Sequence, residues 1–251
     1  MEVFRRYIES TSLHKKIIDV EVADGRILED VSRKDLEELE GNRFIETRRI
    51  GKYCFLEADG QWLVMHFGMT GYPKYFKKEG PDKVKVSFGL ENNYRLAYVC
   101  TRLLGKVSLC GDPDEYSGKK DIGPDILEIG DDRFMEMISK KRGKIKTALM
   151  DQSLMSGLGN IYTDEVLFQT GIHPETKVPD LKAEDLSKLR KNTIKVLEEA
   201  IETKADPKKM PSDYLIPLRG NEDRCPKDRG RIRKIKVNGR STYYCSRHQK
   251  K

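Results

Sequence analysis

Ser156-Gly157-Leu158-Gly159-Asn160-Ile161-Tyr162-Thr163-Asp164-Glu165 is the stretch on which the reading of this chain turns. Two glycines one residue apart permit a tight backbone turn, and the apolar spacing that follows predicts a helix over Asn160–Thr170. Backbone amides at a helix start form a seat for phosphate, and an asparagine there can donate a further hydrogen bond. Spacing alone leaves a second reading open, a ligand-free turn between two helices. Either reading makes the surrounding region helical. Asp132–Lys140, Ile145–Met150 and Ala183–Thr203 carry the same periodicity, the last with Leu186, Leu189, Ile194, Val196, Leu197 and Ile201 among charges.

C-terminal to these helices, Pro207, Pro211 and Pro217 break the pattern and a basic segment begins. From Arg219 to Lys251 there are twelve Lys or Arg against three acids, a net +9. The whole chain carries +7, so residues 1–218 hold the remaining −2. Basicity confined to one end suggests a nucleic-acid contact surface, with a solvated tail as the alternative. The alternation in Arg231-Ile232-Arg233-Lys234-Ile235-Lys236-Val237 favours a half-buried strand. On either side of it stand Cys225-Pro226-Lys227-Asp228 and Cys245-Ser246-Arg247-His248. Two short ligand pairs on the turns of a hairpin can complete a tetrahedral zinc site at Cys225, Asp228, Cys245 and His248. A metal-free hairpin is equally compatible with a pair of thiols, a carboxylate and an imidazole. Arg240 falls at the expected hairpin tip, where a guanidinium is well presented to phosphate.

The N-terminal part reads differently. Ile17–Val22, Phe44–Arg49, Tyr53–Glu57, Trp62–Phe67, Val84–Phe88, Tyr94–Val99 and Lys106–Leu109 are rich in β-branched and aromatic residues and are separated by turn signals. Helices are expected around Val3–Ser10 and Arg33–Leu39. Gly111–Gly130, rich in Gly, Pro and Asp, reads as a linker. The resulting expectation is an α+β chain. A β-sandwich flanked by helices spans 1–112, a linker 113–130, a helical domain 131–218 and a basic hairpin 219–251. The apolar runs, Trp62–Met65 among them, are too short for a membrane span, and the charged Met1–Arg6 start lacks a secretory core. Five cysteines at uneven spacing suit a reducing compartment, and a cytoplasmic monomer, nucleoid-associated if prokaryotic, is expected.

Together these segments resemble the formamidopyrimidine-DNA glycosylase and endonuclease VIII family from about Glu2 to Lys250. The matching segments stand in the family's order: Arg48–Lys52, His66–Gly71, Gly123-Pro124-Asp125, Gly157–Glu165, Gly171-Ile172-His173-Pro174 and Gly239–Lys250. The resemblance implies a β-sandwich followed by a helix-two-turns-helix domain and a zinc hairpin. It also implies base-excision repair of oxidised or ring-opened bases in double-stranded DNA, through a glycosylase with lyase activity. Carried over by position, Lys52, His66, Asn160 and Arg240 would grip phosphates around the lesion. Met69 would fill the gap left by an everted nucleotide, Arg102 would face the orphaned base, and Leu104 stands where an aromatic wedge is common. Eversion is required because a base inside the stack is out of reach.

The sequence also departs from the family. Family chemistry uses an N-terminal proline amine to attack the sugar, with a glutamate beside it for proton transfer. Met1-Glu2-Val3-Phe4-Arg5-Arg6 aligns just after that start, so catalytic residues are expected to be none, with Lys52 the only candidate auxiliary amine. Six further helical residues would shift the amine by roughly 9 Å, at ~1.5 Å each. The expectation is a family member inactive as the chain stands, with a non-catalytic damaged-DNA-binding protein as the alternative. Asp228 and His248 replace the usual cysteines, and Cys100-Thr101-Arg102-Leu103-Leu104 replaces an acidic-Pro-Arg-Arg-aromatic run. A general zinc-hairpin nucleic-acid binder is the third, weakest reading.

Overall fold

The structure is a computed structural model that describes residues 1–219 and 224–250. It divides into two compact units, Met1–Lys120 and Asp121–Lys251.

The first unit opens with helix α1 (Glu2–Ser12) and strand β1 (Ile17–Val22), then a short helix α2 (Arg33–Glu37). Ser32 caps α2 by accepting from the Asp35 amide, and the Asp35 carboxylate accepts in return from the Ser32 amide. Seven strands follow: β2 (Phe44–Ile50), β3 (Tyr53–Ala58), β4 (Gln61–His66), β5 (Tyr72–Lys77), β6 (Val84–Leu90), β7 (Tyr94–Val99) and β8 (Lys106–Cys110). They form two antiparallel four-stranded sheets, ordered β1-β6-β7-β5 and β2-β3-β4-β8. One buried cluster draws on both: Phe44, Leu56, Leu63 and Met65 from one sheet, Val86, Phe88, Leu96 and Tyr98 from the other, with Ile8 of α1. Alternation along each strand supplies these inward residues, which is the pattern the sequence displays.

Two expectations need adjustment here. Tyr72–Lys77 is a strand beyond those expected, because Pro73 and the mixed Lys74-Tyr75-Phe76-Lys77 run hide the alternation. Its place at the edge of its sheet explains the proline, which has no amide to give to a further neighbour. The expected linker from Gly111 is not all irregular. Helix α3 (Pro113–Lys119) occupies its first half, with Asp112 accepting from the amides of Asp114 and Glu115 and Pro113 in the first turn. Tyr116 of α3 packs edge-on against Phe55 and shares a 3.1 Å hydrogen bond with Ser108, covering the outer face of β3 and β8.

The second unit holds α4 (Asp131–Ser139), α5 (Ile145–Met150), α6 (Asn160–Thr170), α7 (Ala183–Glu202) and a two-stranded hairpin, β9 (Ile232–Val237) with β10 (Arg240–Cys245). Helix α6 is enclosed over most of its length: Thr163 to Phe168 are all buried, Asp164 and Glu165 among them. Around it pack Phe134, Ile138, Ile145, Leu149, Leu158, Leu186, Leu189 and Val196. Arg190 on α7 is buried among carbonyls, donating to those of Ile126 and Ile129 while pairing with Asp131 at 2.9 Å. Three groups thus satisfy its guanidinium, which is what a buried arginine requires. Residues 220–223, inside the basic C-terminal segment, and Lys251 at its end lie outside the described residues.

Candidate nucleic-acid interface

In the first unit the candidate residues sit on or beside three turns. Lys52 occupies the turn joining β2 and β3, and His66 ends β4. The two arginines of the same basic cluster are engaged by carboxylates. Arg49 pairs with Glu2 at 3.1 Å and Arg48 makes a bidentate contact with Asp114 at 2.8 and 2.7 Å. The His66 ring lies tilted on Tyr53, with centroids 4.9 Å apart. Burial first, and the neighbouring Lys52 ammonium second, lower its basicity. A histidine so disfavoured as a cation offers a phosphate an N–H rather than a charge.

Glu2, in the first turn of α1, is held by arginines. It accepts from Arg5, Arg6 and Arg49. Burial pushes its pKa up, but the hydrogen bonds and charges of these arginines outweigh burial and hold it down at about 2. A carboxylate so held is ionised at neutral pH.

Beyond His66 the chain turns through Gly68-Met69-Thr70, and across from it runs Thr101-Arg102-Leu103-Leu104. Met69 is 74% exposed and Leu104 53% exposed, high values for apolar side chains on a folded unit. Arg102 is exposed beside them. The two turns touch: a Cβ on Gly68 would stand 2.7 Å from the Leu104 carbonyl carbon. Thr101 donates to Thr70 at 3.2 Å.

In the second unit the Gly157 turn has φ +114°, a conformation open to glycine and costly for other residues. Gln152 bridges the turn, accepting from the Gly157 amide and donating to the Leu158 carbonyl. Gly123-Pro124-Asp125 pairs with it, since Ser156 donates to the Pro124 carbonyl and Ile126 donates to the Ser156 carbonyl. Asn160 begins α6 and donates from its side chain to the Ser241 carbonyl of β10 at 2.9 Å. Its amide is therefore tied to the hairpin rather than aimed wholly outward.

Under that contact lies a buried charge cluster. Asp164 pairs with Lys146 at 2.5 Å and with Arg219 at 2.8 Å, and accepts from the Tyr243 amide at 3.0 Å. Lys146 donates also to Thr242 at 2.7 Å. Burial disfavours both charges, pushing Lys146 down and Asp164 up, and their mutual attraction opposes it. Arg219 stacks over Tyr243 at 4.9 Å and reaches the carbonyls of Asn160 and Ser241. The hairpin is thereby clamped to α5 and α6. At its tip Arg240 is exposed and borders a hollow of about 300 Å³ with Lys146, Thr147, Met150, Asp151, Val237 and Asn238. Lys146, Asp164 and Arg219 were not singled out in the sequence. Isolated charges look like surface in a sequence, and only the contacts among α5, α6 and β10 show these three to be partners.

At the far end of the hairpin the four expected ligands come together. The candidate atoms of Cys225, Asp228, Cys245 and His248 all lie within 4.8 Å of one another. Cys225 Sγ is 3.7 Å from His248 Nδ1, Asp228 Oδ2 is 3.0 Å from His248 Nδ1, and Cys245 Sγ is 3.3 Å from Asp228 Oδ1. Zinc bonds of about 2.0–2.3 Å in a tetrahedron require ligand separations of roughly 3.3–3.8 Å, so small adjustments suffice. His248 Nε2 faces the Phe168 carbonyl at 3.2 Å, which selects the tautomer whose Nδ1 lone pair points into the cluster. Among the described residues no helix is long and apolar enough to cross a membrane.

Comparison with known proteins agrees with this arrangement. The sequence model of the formamidopyrimidine-DNA glycosylase N-terminal domain matches residues 1–107, and that of the formamidopyrimidine-DNA glycosylase H2TH domain matches residues 122–212. The chain belongs to the formamidopyrimidine-DNA glycosylase family. It is 31% identical to the formamidopyrimidine-DNA glycosylase of Streptococcus mutans, over 100% of this chain and 97% of the relative. It is 32% identical to that of Arabidopsis thaliana, over 100% of this chain and 70% of the relative. Among solved structures, Lactococcus lactis formamidopyrimidine-DNA glycosylase bound non-covalently to DNA containing an AP site aligns with a TM-score of 0.89. The identity is 29%, and 100% of this chain and 98% of that chain are covered. A MutM complex with DNA containing carbocyclic 8-oxo-G gives a TM-score of 0.88 at 28% identity, with the same coverage. The α+β fold expected from the sequence is therefore the fold of this formamidopyrimidine-DNA glycosylase family member.

Proposed function

We propose that this family member recognises oxidised or ring-opened bases and abasic sites in double-stranded DNA, in base-excision repair as a DNA glycosylase and AP lyase. The observation that carries this reading is the pair of exposed apolar side chains, Met69 and Leu104, on two touching turns beside Lys52, His66 and Arg102. An apolar wedge on a rigid turn can enter a base stack when a nucleotide leaves it. In this reading Lys52, His66, Asn160 and Arg240 hold phosphates, Met69 fills the gap, and Arg102 faces the orphaned base. Phosphate contacts fix register and orientation without reading sequence.

Cys225, Asp228, Cys245 and His248 would hold one structural zinc, whose chemistry would be to cross-link the two ends of the hairpin. Arg240 is at the opposite end of the same hairpin, so the metal would act on DNA binding through the hairpin's rigidity. The chain is proposed to act as a monomer, with each unit contributing its own contacts.

A second reading is damage binding without base excision, in which Glu2, engaged by Arg5, Arg6 and Arg49, is a structural carboxylate. Borohydride trapping on an abasic duplex separates the readings. The 251-residue polypeptide is compared with one extended by Pro-Glu-Leu-Pro-Glu-Val after the initiator Met. Trapping by the extended chain alone assigns the chemistry to a proline amine. Equal trapping by both assigns it to an amine within residues 1–251, and loss of that trapping in Lys52→Ala would name Lys52. No trapping by either favours the binding protein.

A further inference from the structure

We infer that Leu103 is a positioning residue that holds the exposed Leu104 and Arg102 in place for insertion; this rests on the reading of Leu104 and Met69 as wedges. Three consecutive residues take three different courses. Arg102 is exposed, Leu103 packs against the sandwich core, and Leu104 is exposed again. The reversal is made by Leu103 itself, whose φ is +51°. A leucine in this left-handed region is uncommon and strained, so the rest of the fold must impose it.

The surroundings show how it is imposed. A Cβ on Gly105 would stand 1.9 Å from the Tyr98 hydroxyl oxygen and 2.2 Å from the His66 carbonyl oxygen, so the chain after Leu104 runs flush against β4 and β7. The Tyr98 hydroxyl donates to that same His66 carbonyl at 2.9 Å. The Tyr98 ring stacks on Phe67 at 4.8 Å with planes 8° apart, and Phe67 meets Phe4 of α1 at 5.1 Å. With Gly68 abutting Leu104 and Thr101 bonded to Thr70, the two turns form one mount. Leu103 is its inward bolt and Tyr98 its base. The consequence is functional rather than merely structural. A wedge already fixed in its protruding conformation loses less entropy on insertion than one on a mobile loop, so part of the lesion affinity is set before DNA arrives.

The test uses the full chain and a duplex carrying a tetrahydrofuran abasic analogue with 2-aminopurine as the opposite base, beside an undamaged duplex. Four variants are compared for thermal unfolding, for affinity on both duplexes and for the 2-aminopurine signal at saturation. Leu103→Asn tolerates the left-handed backbone but loses the apolar anchor. It should lower the ratio of lesion to undamaged affinity about tenfold, some 1.4 kcal/mol, and at least halve the 2-aminopurine change, with undamaged affinity within about twofold. Leu103→Met should retain both properties. Tyr98→Phe should lower the ratio about threefold, and it decides the matter if Leu103→Asn does not fold. Leu104→Ala tests the wedge reading itself. Wild-type ratios in Leu103→Asn or in a sole surviving Tyr98→Phe, with Leu104→Ala impaired, overturn the positioning role alone. A wild-type Leu104→Ala overturns the wedge reading and the positioning role with it.

Discussion

Replacing Asp164 with Asn should be the most destabilising conservative change in the second unit. Asp164 is fully buried, and it is met by Lys146 at 2.5 Å, Arg219 at 2.8 Å and the Tyr243 amide at 3.0 Å. Lys146 is 1% exposed, so the substitution leaves an ammonium inside the unit with only the Thr242 hydroxyl facing it. Removing one partner of a buried ion pair typically costs 3–5 kcal/mol. The Asn carbonyl can still accept from Tyr243, which favours the lower end, so a loss of about 3 kcal/mol is expected. At roughly 3–4 °C per kcal/mol for a unit of this size, unfolding should begin about 10 °C lower. Scanning calorimetry or far-UV circular dichroism reads this directly. The double variant Lys146→Met with Asp164→Leu should recover part of the loss, because it removes the unpaired ammonium, while Arg219 and the Tyr243 amide still lose their acceptor. Duplex affinity should fall in Asp164→Asn, since the same cluster clamps the hairpin that bears Arg240. A stability change under about 1 kcal/mol, or a double variant worse than the single, would refute the argument.

Other outcomes follow from the same contacts. Glu165 accepts from the amides of Leu215 and Ile216 and from Gln169, yet burial raises its pKa from 4.5 to about 6. Its folded form binds the proton more tightly, so its contribution to stability is full below pH 4.5 and is lost as pH rises through 6. The loss is on the order of 2 kcal/mol, and urea titrations should show it flattened in Glu165→Gln. Arg240→Ala should weaken binding to all duplexes alike and reduce the salt slope by about one counterion, as anisotropy titrations at several salt concentrations would show. Elemental analysis of untagged protein should find one zinc per chain. Cys245→Ser should lower the metal content and the hairpin's resistance to protease together; metal-free protein with an intact hairpin would set zinc aside.

Much of this was legible in the sequence because the physics there is local. Inward alternation marked the strands from Ile17–Val22 to Lys106–Cys110, and the helical stripe of Leu186, Leu189 and Val196 marked α7. The four metal-site candidates were found by spacing alone, since a hairpin brings its two ends together by register, with Cys245 paired to Ile232. Met69 stands out as a methionine in a glycine turn, but such a residue is more often a loop filler, and its role, like that of Leu104, needed the family likeness. What stayed hidden was long-range. Strand Tyr72–Lys77 is defined by pairing with Tyr94–Val99 rather than by its own pattern. The Lys146–Asp164–Arg219 cluster joins residues far apart in the chain, and Tyr98 acts through a carbonyl 32 residues away. The Gly, Pro and Asp of 111–130 read as a linker because the same residues that cap and start a helix, here Asp112 and Pro113, also make turns.

The central claim is that this chain distinguishes damaged from intact duplex DNA. The most direct measurement is a fluorescence anisotropy titration of the 251-residue protein against two otherwise identical duplexes, one with a tetrahydrofuran abasic analogue, at three salt concentrations. The account predicts tighter binding to the abasic duplex by at least tenfold at every salt concentration, with both affinities falling steeply as salt rises. Equal affinity for the two duplexes, or binding indifferent to salt, would contradict it.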